Sequence, residues 1–302
     1  MNSSLHSRYQ DQGYVVIKAA IPSPLIASCL QALNAVKRRR RSFLYYTQST
    51  HRWTFPQLSE GGFLQESVLN PTQQVQAPKF AAAVRNILYH DQIHQALCAI
   101  YPGSLDFVSW QDMAFDRSTA TIDHLDSWYL DTEIPGGVCG LWVALEDIAM
   151  EAGPFFVCPG SHRLGPISKQ EAPDHATFLR LIQQRIEEFH LERKPMLLSK
   201  GDILLWHSFL IHGAFNCSNE TVSRKSLTAH FYRFGQRRQD ALSSRHFRGD
   251  LRRMGSTVHP RLHRLRKPGR SPAFYALAGP LLALKDQAGM ISSRAWNMRR
   301  EP

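Results

Sequence analysis

The order of apolar and polar positions divides the chain into a helical opening and a strand-rich body. Helix precedes the break at Gly13, and a short β-branched run, Tyr14-Val-Val-Ile17, follows it. Ser23 and Pro24 then supply an N-cap and a first helical position. Leu25, Ile26, Cys29, Leu30 and Leu33 recur at helical spacing up to the charge run Lys37-Arg-Arg-Arg-Arg41. A further helical pattern covers 78–101 and is closed by Pro102-Gly103. From residue 105 the texture changes to short strands between turns: 105–115, 119–124, 138–146, 155–158, 195–198, 203–206 and 227–234, with one helical stretch at 176–189. Helices first and many short strands afterwards predict a mainly β fold, a sandwich or barrel with flanking helices packed on its outside.

Charge changes the picture at one end only. The chain of 302 residues has a formal net charge of +11. Residues 237–302 carry 15 Lys+Arg against 4 Asp+Glu, which is the whole excess, and the first 236 residues hold 21 of each sign. The sequence therefore predicts a charge-balanced domain over 1–236 and a basic C-terminal extension over 237–302 that packs on the core or a partner. With 43% hydrophobic residues the body can bury a core, which excludes wholesale disorder. The longest apolar stretch, 276–284, is far short of the roughly 20 residues a spanning helix needs. No apolar signal segment opens the chain, and the five cysteines form no Cys-x-x-Cys pair, so a cytoplasmic protein with reduced thiols is expected.

Candidate chemistry centres on His124-Leu-Asp126. Alternate residues of an extended segment point to one side, so an imidazole and a carboxylate two apart reach a single ion. Two histidines and one carboxylate on one face leave coordination positions open, the arrangement of non-haem Fe(II) oxygenases. The pair alone is weak, because about one His-x-Asp/Glu arises by chance in this composition. A second one, His190-Leu-Glu192, ends a helical pattern only 22 residues before His212 and reads as surface. The C-terminal partner raises the signal. Lys200 to Gly213 reads as a turn, a buried strand and His212 just before glycine, and Arg224-Lys-Ser226 opens the next strand. An oxo acid chelated on a metal needs a cation deeper in the barrel for its far carboxylate. Arg224 offers a bidentate fork, and Ser226, two residues on, adds a hydroxyl donor. Gln111 and Trp128, with Trp110, flank the ligand pair and are candidate substrate contacts. His162 reads as a loop-structuring residue and His207 as a packing one.

These residues resemble the phytanoyl-CoA dioxygenase family of Fe(II)/2-oxoglutarate oxygenases. The likeness runs from about Tyr9 to Phe234. It comprises Asp11-Gln-Gly-Tyr-Val-Val16, His124-x-Asp126, Leu141-Trp-Val-Ala-Leu-Glu146, Gly153 to His162, Gly201-Asp202, His212-Gly213 and Arg224-Lys-Ser226. The resemblance implies a double-stranded β-helix (jelly-roll, cupin-like) core. It also implies Fe(2+) on His124, Asp126 and His212, 2-oxoglutarate anchored by Arg224, Trp142 beside that cosubstrate, and O2 as oxidant. It implies hydroxylation of an aliphatic carbon of a small molecule, natural-product, amino-acid-derived, anionic or carrier-linked, with release of succinate and CO2. Related halogenases have a small residue where this chain has Asp126, so oxygen insertion is expected. The chain departs from the family at Ala214, where a Ser or Thr is common, and by one extra residue between His212 and Arg224.

A second reading makes the protein a nucleic-acid- or partner-binding module on a non-catalytic jelly-roll. Arg245, Arg248, Arg252, Arg253, Arg261 and their neighbours are its candidate phosphate contacts. The few aromatic residues of the tail, Phe274, Tyr275 and Trp296, form no recognisable nucleic-acid module and argue against it. The sequence leaves the oligomeric state open.

Overall fold

A computed structural model describes residues 2–39, 42–50, 52–236 and 252–254. All of these but 252–254 belong to the body, and the other candidate contacts of the basic extension lie outside the described residues.

The opening follows the predicted order: α1 (Asn2–Gln12), β1 (Tyr14–Ile17) and α2 (Ser23–Arg38). Ser23 is not the cap. It is the first helical residue, preceded by Pro22 in extended conformation, and no side chain caps the helix. Pro24 sits in the first turn, where its missing N–H costs nothing. The predicted helix over 78–101 is two helices, α3 (Pro78–Leu88) and α4 (Asp91–Ile100). The break is at His90, which adopts an extended backbone while its Nδ1 accepts from the Gln92 amide at 3.3 Å, capping α4.

The strands are β2 (Tyr45–Tyr46), β3 (Trp53–Thr54), β4 (Val68–Leu69), β5 (Phe107–Phe115), β6 (Val138–Ala144), β7 (Phe155–Val157), β8 (Lys194–Pro195), β9 (Ile203–His207), β10 (His212–Ala214), β11 (Ser226–Arg233) and β12 (Arg252–Met254). Two further helices are α5 (Asp126–Tyr129) and α6 (His175–Glu188). The major sheet runs β1-β9-β6-β11-β5-β12, with β4 also on β5, and the minor sheet runs β10-β7-β8. All these pairings are antiparallel. The predicted strand over 119–124 does not form. Ala120 takes a left-handed φ of 48°, and only one bridge, His124 with His212, joins the segment to β10.

Alternation along the strands sorts side chains into layers. Leu141, Val143, Leu205, Leu227, Ala229 and Phe231 face outward from the major sheet and pack against Ile26, Cys29, Leu33, Val84, Ile87 and Leu88 of the helices. Trp142, Ala144, Leu204 and Trp206 point inward to meet Phe155 and Val157 of the minor sheet. Phe156 faces the other way, under Phe178, Ile182 and Ile186 of α6. Both faces of the central strand β6 are covered, so every one of its residues is buried. The result is a jelly-roll sandwiched between helices, as expected. β5 changes phase once: the register steps from Asp112 opposite Ala229 to Ser109 opposite Phe231. This bulge sets Trp110 and Gln111 together across from His230. No helix of the described residues is long and apolar enough to cross a membrane.

Candidate metal centre

His124, Asp126 and His212 converge at the start of β10. His212 is the first residue of β10, and His124 pairs with it through two backbone hydrogen bonds of 2.9 and 3.1 Å. Leu125 is extended and fully buried among the α6-facing residues, so its neighbours His124 and Asp126 both turn toward the interior. Asp126 then starts the short helix α5. Gly213 is needed beside this junction, since a Cβ there would stand 2.8 Å from the Thr121 carbonyl oxygen.

Each imidazole is oriented by its own backbone. His124 Nδ1 lies 2.8 Å from the Ile122 carbonyl and His212 Nδ1 lies 2.8 Å from the Leu210 carbonyl. A carbonyl only accepts, so both Nδ1 atoms carry hydrogen, and Nε2 is the ring nitrogen each histidine has left for a ligand. Those Nε2 atoms each stand 3.6 Å from Asp126 Oδ1. The three donor atoms lie within 4.8 Å of one another. Burial, reinforced by His124 alongside, lowers His212 to about 3, which keeps its ring neutral. Burial opposes the charge on Asp126, but the facing His212 and His230 rings hold its carboxyl well below the usual range. Three lone-pair-bearing atoms thus face one another with no shared hydrogen between the histidines and Oδ1. Nitrogen and carboxylate donors in this number fit a divalent transition metal such as Fe(II) with positions left open.

Behind the triad sits a second polar set. Arg224 is 2% exposed, Ser226 and Trp142 are fully buried, and Arg224 Nε, Ser226 Oγ and Trp142 Nε1 have no hydrogen-bond partner. The guanidinium lies 5.1 Å from the Phe115 ring centroid and 5.8 Å from that of Trp142. No carboxylate of the described residues forms an ion pair with it, and burial lowers its pKa to about 10. A buried cation without a counter-ion is costly, so this pocket fits an anionic group. Trp142 stacks on Phe155 at 5.5 Å, and Phe155 stacks on His212 at 5.3 Å, which joins the cation site to the triad through aromatic contacts. The structure thus brings His124, Asp126 and His212 together and sets Arg224, Ser226 and Trp142, also singled out in the sequence, behind them.

Other expectations fare differently. Gln111 is brought to the bulge opposite His230. Trp128 turns away, stacking on Phe178 at 4.5 Å and donating to the Ala172 carbonyl at 3.2 Å. The ring beside His124 is its neighbour Tyr129, at 5.8 Å. His162 structures its loop as expected, bonding the Gln10 carbonyl at 2.8 Å, while Ser161 Oγ accepts from the Ile211 amide at 2.9 Å. His207 packs on Tyr9 and His162, and burial lowers it to about 4. His190 and Glu192 are exposed. Two residues the sequence did not single out, Trp206 and His230, contact Asp126 Oδ2. Trp206 Nε1 donates at 2.8 Å, and His230 Nε2 stands 3.4 Å away. The available signal for His230 was its parity with Ser226 and Thr228 on a strand whose alternate residues are apolar.

Known proteins share this fold and family. Among solved structures, the chain resembles the carbocyclase SnoK from nogalamycin biosynthesis, at 17% identity and TM-score 0.61 over 87% of this chain and 95% of that one. It also resembles the epimerase SnoN in complex with Fe3+, alpha ketoglutarate and nogalamycin RO, at 18% identity and TM-score 0.59 over 89% and 96%. These likenesses establish the fold. Curated relatives include the peroxisomal phytanoyl-CoA dioxygenase of Bos taurus, 26% identical over 110 residues, 36% of this chain and 32% of the relative. Another is phytanoyl-CoA dioxygenase domain-containing protein 1 of Danio rerio, 33% identical over 110 residues, 35% of this chain and 37% of the relative. These alignments span about a third of the relatives' length. The profile of the phytanoyl-CoA dioxygenase (PhyH) family matches residues 9–226, most of the chain, and this protein belongs to that family.

Proposed function

We propose that the chain is a non-haem Fe(II)/2-oxoglutarate-dependent dioxygenase that hydroxylates an aliphatic carbon of a small molecule and releases succinate and CO2. The observation that carries the reading is a three-atom acceptor set beside a buried arginine without a counter-ion among the described residues. His124, Asp126 and His212 would hold the iron and Arg224 the far carboxylate of 2-oxoglutarate. The bound iron supplies the redox chemistry with O2 and the cosubstrate.

The protein's own part is orientation. The Ile122 and Leu210 carbonyls fix the two imidazoles with their Nε2 lone pairs toward Asp126. Ser226 Oγ and Trp142 Nε1 offer further donors next to Arg224, and Phe115 and Phe155 exclude water around them. Hydroxylation is favoured over halogenation because Asp126 fills the carboxylate position. Epimerisation and ring closure, named for the structural relatives SnoN and SnoK, begin from the same kind of centre. Which outcome follows depends on how the substrate is held. A small-molecule substrate is supported by the SnoN complex with nogalamycin RO. Five free thiols support a cytoplasmic setting. We assign catalysis to residues 1–236 and treat 237–302 as a basic extension that packs on the core or a partner; the pairing of its residues 252–254 with β5 supports contact with the core.

Mixing the protein anaerobically with Fe(II) and 2-oxoglutarate should give a weak visible charge-transfer band, and Asp126→Ala or His212→Ala should abolish it. A wild-type chain that binds neither iron nor 2-oxoglutarate would sink the proposal in favour of a binding module. Succinate release across a substrate library then identifies the substrate class.

A further inference from the structure

We propose that His230 and Trp206 are positioning residues that restrict Asp126 to one metal-binding oxygen. The inference rests on the metal-centre reading above. Oδ2 accepts from Trp206 Nε1 at 2.8 Å and lies 3.4 Å from His230 Nε2. Oδ1 lies 3.6 Å from the Nε2 atoms of both His124 and His212. The two oxygens of one carboxylate are thereby given different tasks. The Trp206 N–H claims the first, with His230 Nε2 alongside it, and the second faces the ligand set. A carboxylate with both oxygens free is able to bind a cation bidentately and take up two positions. Asp126 is steered to use one, which leaves a position to ligands from solution.

The arrangement is built across three adjacent strands at one level. Gly140 on β6 pairs with Trp206 on β9 and with His230 on β11. A Cβ at Gly140 would lie 2.0 Å from Trp206 Cε2, so the missing side chain is the space the indole occupies. Trp206 and His230 meet edge to face, with ring centroids 6.0 Å apart and an interplanar angle of 83°. His230 is 4% exposed and its Nδ1 has no partner, so the ring is not held there by another hydrogen bond of its own. Asp126 Oδ2 is the polar atom that Nε2 addresses.

The test uses Co(II) as the probe, titrated anaerobically into the full chain and followed by visible absorption and chelator competition. A glutamine amide reaches the place of Nε2, whereas an asparagine amide stops at the place of Nδ1. His230→Gln should keep Co(II) affinity within about threefold, while His230→Asn and Trp206→Phe should weaken it by about 10–100-fold and alter the absorption band. Thermal melting of the metal-free variants separates loss of fold from loss of ligand orientation. Should His230→Asn fail to fold, His230→Gln and Trp206→Phe still carry the comparison. Wild-type affinity and an unchanged band in folded His230→Asn or Trp206→Phe would overturn the proposal, as would damage in His230→Gln equal to that in His230→Asn. A wild-type chain that takes up no Co(II) would fail earlier, removing the metal-centre reading itself.

Discussion

Strand β11 has two sides that obey different rules. Its outward residues, Leu227, Ala229 and Phe231, are apolar and packed against the helices. Its inward residues, Ser226, Thr228 and His230, are polar, equally buried, and two of them carry atoms without a partner. Adjacent positions on one strand thus experience the same depletion of water but opposite chemistry. The outer side holds the fold together by burial, and the inner side keeps polar groups in want of partners. The difference teaches that burial alone does not identify core in this protein. Satisfaction of hydrogen bonds does.

Substitutions on the two sides should move stability in opposite directions. Phe231→Ala, on the outer side, should cost about 3–5 kcal/mol in denaturant unfolding, with Co(II) affinity unchanged in the folded fraction. An equal loss of metal affinity would mean that the sides are coupled. A polar exception on the outer side, His207, gives the next effect. Its folded-state value of about 4 lies below the ordinary value of 6.5, so the unfolded chain takes up the proton first. Its contribution is present above pH 6.5 and is lost as pH falls toward 4, by about 3 kcal/mol. Unfolding curves of wild type and His207→Phe across that window should diverge accordingly, the variant showing the shallower decline. The smallest change has the opposite sign. Arg224→Met should raise the stability of the metal-free protein by about 2 kcal/mol, because it removes a buried charge without a counter-ion among the described residues, while calorimetry should find 2-oxoglutarate binding abolished. Destabilisation by this variant would mean that the guanidinium has a partner and is not waiting for one.

The parts of the candidate site legible in the sequence are those that require a particular residue type. His124, Asp126, His212 and Arg224 were legible because few side chains can ligate a metal or fork onto a carboxylate, and they lie at spacings that strands and turns allow. His230 and Trp206 were not, because histidine and tryptophan in a strand are compatible with plain packing. Their role depends on three strands meeting in register at Gly140. The strand expected at 119–124 failed on the backbone of Ala120, which residue type does not announce. The helix expected at 78–101 divided at His90, a cap whose side chain imitates an ordinary helical polar position. Trp128 illustrates the limit of proximity in sequence: two residues from Asp126, it serves α6 instead.

The contact between Gly140 and Trp206 has a consequence for how this protein can vary. The two positions share one volume, since a methyl at residue 140 and the indole of residue 206 cannot coexist without a backbone shift. A change that adds bulk at 140 is tolerable only after residue 206 shrinks, and a smaller residue there no longer donates to Asp126. Sequence drift at a strand position that touches no ligand is therefore tied, through steric exclusion, to the coordination of the metal. The order in which substitutions arrive would decide whether each one is neutral or lethal to activity.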